Sequence, residues 1–180
     1  MDPYTQYPNY IPFSAMTIHD NVPQWIIVHC SASDVDNFAS IQNYHITAPD
    51  HLWSNCGYHA IIERDGTLHL GRPDLFHGSH CPEQQMNTHS LAICICGDLD
   101  KHTPNQMQID TLKKYLIDKM TQYGIPKDKI VPHRYFNTTG KTCYGSKLSD
   151  AWAQELVAPI HQILNKDAIK AQIKALVDQL

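Results

Sequence analysis

The sequence predicts a single α/β domain with a mixed central β-sheet flanked by helices. Three observations carry this. First, Trp25-Ile26-Ile27-Val28-His29-Cys30 and the stretch Leu91 to Cys96 are nearly continuous apolar runs of strand length, as in strands covered on both faces. Second, the β-rich segment Tyr58 to Arg64 runs through Asp65-Gly66, a strong hairpin dipeptide, into Thr67 to Leu70, so one strand pair is antiparallel. Third, helical patterns alternate with these strands, which implies a layered sheet domain. With 180 residues the chain fits one domain with short appendages and can bury a core without disulfides.

Residues 1 to about 23 set Pro3, Pro8, Pro12 and Pro23 among tyrosines and read as an extended arm. After the first strand, Phe38, Ile41 and Tyr44 or His45 fall at helical spacing, giving a short helix over Asp36 to His45. The clearest helix follows the Leu91 strand. Thr103 is read as its N-cap, Pro104 suits the first turn, and Gln106 completes a capping-box pattern. Ile109, Leu112, Leu116, Met120 and Tyr123 form its apolar stripe, and Gly124 and Pro126 end it. Ile130-Val131 is a short strand, and Arg134 to Leu148 is a loop. Ser149 then caps a helix through Trp152, Leu156 and Ile160 that Pro159 should kink or break. Ile169, Ile173, Leu176 and Leu180 mark a last amphipathic helix, expected to pack on the protein's own surface, with dimerisation the second reading. Membrane insertion comes third, because the lysines and aspartates of this segment nearly balance. The expected organisation is an arm over 1–23, a domain over 24–164 and an amphipathic helix over 165–180.

Fourteen Lys and Arg against 18 Asp and Glu give a net charge of −4, which argues against a nucleic-acid binder. No apolar run approaches the ~20 residues of a membrane span. Met1 to Tyr10 has no basic region followed by an apolar one, so the expectation is synthesis in a bacterial cytoplasm without a signal peptide. Most of the six cysteines read as buried reduced thiols. Twelve histidines are many, and histidine is the commonest metal ligand. His29 ends a buried strand, where functional groups of α/β sheets gather. His133 opens the long loop, and Cys143 lies in it behind Lys141, which is expected to depress the thiol pKa. Three ligands from distant segments would leave a fourth position to water, the catalytic arrangement of zinc. Each residue also has a plain reading, as a core histidine or a bystander thiol, and spacing alone does not select three ligands from so many candidates.

Six stretches in order narrow the choice: Ile26-Ile-Val-His-Cys-Ser-Ala-Ser33, Cys56-Gly-Tyr-His-Ala-Ile-Ile-Glu-Arg-Asp-Gly-Thr67, Gly71-Arg72, His77-Gly-Ser-His80, Asn87-Thr-His-Ser90 and Gly140-Lys-Thr-Cys143. Together they resemble the type-2 N-acetylmuramoyl-L-alanine amidases, a family that includes phage endolysins and peptidoglycan recognition proteins. The likeness is strongest to the small phage amidases.

The resemblance implies zinc ligands at His29, His133 and Cys143, and catalytic roles for Tyr58 and Lys141. His80 and Asn87 fall at positions near the family's groove, where they contact substrate or order the loop. Some amidases that recycle wall fragments carry a glutamate where this chain has Cys94, so the implied branch is the phage-like one, without a dedicated carboxylate base. The implied reaction is zinc-dependent hydrolysis of the amide between N-acetylmuramic acid and L-alanine. The implied partner is peptidoglycan, the place of action the bacterial cell wall, and the expected state a monomer. The alternative is a non-catalytic peptidoglycan-binding module of the same fold; such modules typically lack the cysteine ligand. Arg72, Trp53 and Trp152 are read as packing or structural residues, and His45, His51, His69, His102 and His161 as surface ones.

Overall fold

The structure, a computed structural model, describes residues 2–50, 52–137, 139–158, 174 and 177. Its strands are β1 (Trp25–Cys30), β2 (Ala60–Ile62), β3 (Leu68–Leu70), β4 (Ser90–Ile95) and β5 (Ile130–Pro132). Helices α1 (Phe38–Thr47) and α2 (Gln106–Tyr123) lie between strands, and a third, α3, covers 152–158. The sheet order is β3-β2-β4-β1-β5. β1 pairs in parallel with β4 and β5, β2 pairs in parallel with β4, and only the β2–β3 hairpin is antiparallel. The apolar runs are therefore the interior strands of the sheet, buried on both faces as their composition requires.

Strand alternation divides the core. Ile26, Val28, Ile93 and Ile95 face Leu112, Tyr115 and Leu116 of α2 in the larger cluster. Ile27 and Val131 point the other way, toward Cys81, Met86 and Phe136, and Cys94 and Cys96 pack on that second face against Ile41 of α1. His29, two residues after Ile27, belongs to this second face.

The start of α2 lies two residues later than its sequence pattern. The N-cap is Asn105, in a reciprocal capping box with Gln108, and not Thr103 with Gln106. Tertiary contacts choose between these overlapping boxes. Asn105 Nδ2 donates to the Arg64 carbonyl (2.6 Å) and Gln108 Nε2 to the Cys96 carbonyl (2.8 Å), which ties the helix start to the hairpin and to β4. Gly124, left-handed at φ 65°, ends the helix as expected.

The arm is fastened to the domain. The Ile11 amide donates to Ser54 O, Asn21 N to Leu75 O and Val22 N to Thr88 O. His45 corrects the surface reading: it is 6% exposed, because residues 52–57 fold back over α1, with the Trp53 amide donating to His45 O and the Gly57 amide to its Nδ1 at 3.1 Å. Gly57 permits this close course, since a β-carbon there would meet Ser79 O at 2.2 Å. Arg72 is structural as expected, buried and donating to Cys56 O, His77 O and Ser54 Oγ. The break at Pro159, the helix over 166–180 apart from residues 174 and 177, and His51 and His161 lie outside the described residues. Among the described residues no helix is long and apolar enough to cross a membrane.

Candidate active site

The parallel strands deliver the site at their C-terminal ends. His29 is the penultimate residue of β1 and pairs in register with Cys94 of β4. His133 follows β5 directly. Around the His29 ring, the centroids of His133, Tyr58 and His80 stand at 4.5, 5.1 and 5.1 Å. One ligand atom from each of His29, His133 and Cys143 falls within 4.8 Å of the others, although the three come from distant segments. Two imidazoles and a thiol are a donor set that suits tetrahedral zinc with one position open.

The cysteine wall of the site is a loop, and Arg134 holds it. Its Nη1 donates to the carbonyls of Thr142 (3.0 Å) and Gly145 (2.7 Å), its Nη2 to Leu148 O (2.7 Å) and its Nε to Asp150 (2.6 Å). Its backbone N–H donates to Cys143 O at 2.7 Å. The loop thus closes around a guanidinium beside the Tyr144 ring, and Cys143 is set opposite His29.

On the other wall, hydrogen-bond direction fixes which nitrogen of His29 is bare. Ser90 Oγ lies 2.6 Å from Met86 O, a pure acceptor, so its hydrogen is committed there. His80 Nε2, 3.4 Å from Ser90 Oγ, must then be the donor, which leaves His80 Nδ1 as an acceptor. His29 Nε2 donates to that Nδ1 at 3.1 Å. The lone pair of His29 is therefore on Nδ1, which faces Cys143 Sγ at 3.7 Å. A metal-binding histidine is usually held in this way, by an outer partner on its second nitrogen.

Electrostatics keep the imidazoles neutral. Burial, then the neighbouring histidines, holds His29 well below the usual histidine pKa, and burial lowers His133 as well. Cys143 corrects its sequence reading. Its thiol is raised and not depressed, first by its hydrogen bond with Cys30 and then by burial, while Cys30 is lowered by the same bond. Burial and the surrounding thiols raise Tyr58, so its hydroxyl stays protonated near neutral pH.

A cleft of about 560 Å³ opens beside the cluster, lined by His80, Glu83, Asn87, His133 and Lys141 among others. Lys141 is exposed at its rim and also borders Cys143 in an adjoining pocket. Tyr58 lines a separate hollow against α1 with His45. Asn87 Oδ1 accepts from the amides of His80 and Cys81, both at 2.9 Å, so it orders this loop. Trp53 packs its ring 4.5 Å from His45. Sequence reasoning missed Arg134, Ser90 and Glu83. Their contacts are made through space to carbonyls and rings, and no local pattern marks them.

The described fold and cleft define the class of amidases and peptidoglycan recognition proteins. The amidase LysC from Clostridium intestinale URNW superposes with a TM-score of 0.66 at 25% identity, over 80% of this chain and 89% of that one. Drosophila PGRP-LB shares the fold, with a TM-score of 0.63 at 24% identity over 73% of this chain and 80% of its own. Residues 19–146 match the N-acetylmuramoyl-L-alanine amidase family, and the chain belongs to that family. It is 31% identical over 140 residues to the endolysin of Enterobacteria phage T3 and 30% identical over the same length to that of Escherichia phage T7, in each case covering 73% of this chain and 87% of the relative. The family and fold expected from the motifs are borne out.

Proposed function

We infer that this amidase hydrolyses the bond between the lactyl group of N-acetylmuramic acid and L-alanine of the peptidoglycan stem, as a phage-type endolysin, at a zinc ion held by His29, His133 and Cys143. The carrying observation is the convergence of those three side chains to within 4.8 Å beside the cleft. Two further facts support zinc there: His29 Nδ1 presents a bare lone pair toward Cys143, and both imidazoles are held neutral. When bound, zinc supplies a Lewis acid that activates water near neutral pH.

The protein's own groups do the rest. Lys141, on the loop that Arg134 organises, donates to the carbonyl oxygen as negative charge builds on it. Tyr58, kept protonated by burial, with its ring 5.1 Å from that of His29, donates a hydrogen bond to the reacting amide and relays a proton toward the leaving amine. His80 is a positioning residue for His29 through the bond described above. Asn87 uses its oxygen within the loop, which leaves its Nδ2, at the cleft lining, for the substrate.

The test is mass spectrometry of purified peptidoglycan after digestion with the full chain. The expected products are free stem peptides beginning with L-alanine and uncut glycan strands, lost on chelation and restored by zinc. Cleaved glycan, or peptides cut between amino acids, would replace this reading. Binding to walls with no soluble product would make the chain a recognition module.

A further inference from the structure

A second donor cluster lies on the far side of His133. Cys81 and Glu83 come from the segment between β3 and β4, outside the three residues placed around zinc above. Cys81 Sγ is 3.4 Å from Glu83 Oε2, and that oxygen is 3.9 Å from His133 Nε2. All three ligand atoms lie within 4.8 Å of one another. A tetrahedral zinc with Zn–S ~2.3 Å and Zn–N or Zn–O ~2.0–2.1 Å has ligand-to-ligand edges of roughly 3.3–3.6 Å, so small side-chain shifts close the set. A separate observation points to a ligand. His133 is 8% exposed, and its Nε2 is buried with no hydrogen-bond partner. A buried imidazole nitrogen is seldom left so, and here it is aimed at a thiol–carboxylate pair.

We propose that Cys81, Glu83 and His133 form a second metal site for a borderline or soft divalent cation such as zinc or cadmium, which takes His133 from His29 and Cys143 and so inhibits the enzyme when the cation is in excess. The competition follows from the ring itself. A neutral imidazole has one lone pair, and whichever nitrogen bears it, the other carries the proton. Holding a cation between Cys81 and Glu83 requires that lone pair on Nε2, so His133 serves one site at a time. Binding displaces the Cys81 thiol proton to solvent and leaves a thiolate, a carboxylate and a neutral imidazole around the ion. The open cleft beside Glu83 and His133 gives the cation its path.

The site itself does not depend on the proposed reaction; only the inhibition does, and the two are measured separately. Cadmium is titrated into the full-length apo protein while thiolate-to-cadmium absorption is followed. The wild type is expected to show a first phase at His29, His133 and Cys143 and then, in excess cadmium, a weaker second phase as Cys81 and Glu83 draw His133 away from the first ion; Cys81→Ala should lack the second phase, and Glu83→Gln should weaken it by about tenfold or more. In wall digestion, excess zinc should at least halve the wild-type rate and leave both variants uninhibited. Identical titrations in all three proteins would overturn the site. Two phases combined with equal zinc inhibition in all three would overturn the competition. Should Cys81→Ala fail to fold, Glu83→Gln decides, since the amide keeps the shape of a half-buried side chain. Should no protein digest walls, the titration still decides the metal site and the reaction proposed above fails alone.

Discussion

Ile26 and Val28 point from β1 into the core beneath α2, whereas Ile27 and His29 point from the same strand toward the loops that carry His80, His133 and Cys143. The first face is dry and closed, and dispersion and burial hold it. The second admits polar groups at its end, and these are tolerated because they bond to one another: His29 to His80, His80 to Ser90, Ser90 to a carbonyl. His133 stands outside this chain of bonds, and its Nε2 has no hydrogen-bond partner. A single strand thus separates stability from chemistry by alternation alone, and substitutions on the two faces should register in different measurements.

The largest expected effect is on the second face. Cys143→Ala should reduce zinc content and wall digestion to background, measured by metal analysis and dye release, while the melting temperature of the apo protein stays near that of the wild type. Retained zinc would move the metal elsewhere. Lys141→Ala and Tyr58→Phe should each lower kcat by ~10²–10³ with zinc content unchanged, as expected for loss of one donor to the transition state. Near-normal turnover would make the lysine a solvated loop charge and the tyrosine a packing ring.

A pH effect comes next. His59 Nδ1 accepts from the Ala92 amide (2.9 Å) while Nε2 donates to Phe76 O (3.0 Å), so the buried ring must be neutral, and burial lowers its pKa to about 4. The unfolded chain, with a histidine pKa of ~6.5, then binds more protons between these values. Its contribution is complete above about 6.5 and is lost as pH falls toward about 4, on the order of 3 kcal/mol in all. Thermal melts across that window should show the loss, to which the lowered His29, His80 and His133 add in the same direction, and His59→Gln should reduce it without abolishing it.

Ser90→Ala should free the His80 tautomer and weaken zinc binding by ~10–100-fold, read by chelator competition. Nitrogen NMR of the apo protein should show the His29 proton on Nε2 in the wild type and a mixture in the variant. The smallest effect belongs to the dry face. Ile93→Val should cost about 1 kcal/mol in denaturant unfolding and leave zinc affinity and turnover alone. A change in zinc affinity there would mean that the two faces are coupled.

These contrasts also mark what the residues disclosed in advance. The strands, the Asp65-Gly66 turn and the α2 stripe are local patterns, and they appear where periodicity and turn chemistry place them. The capping box of α2 moved because Thr103 and Asn105 both satisfy the local rule, and contacts with Arg64 and Cys96 decide between them. His45 is buried by a segment ten residues further on, which its own helix gives no sign of. Spacing could not gather His29, His133 and Cys143, since the first and last are 114 residues apart. The motif resemblance did what spacing could not. The raised Cys143 thiol reflects its hydrogen bond with Cys30, its partner across the fold, and then burial, neither of which its sequence neighbours disclose.

Arg134 carries one further consequence. Its donors reach the carbonyls of Thr142, Gly145 and Leu148, a span that holds Cys143 and begins directly after Lys141. A segment tied at so many points to one planar group has its backbone course set by that group as a template. Cys143 is then carried on a backbone braced from one side chain on both sides of it, so a change at Arg134 should be felt at the thiol before it is felt in the sheet.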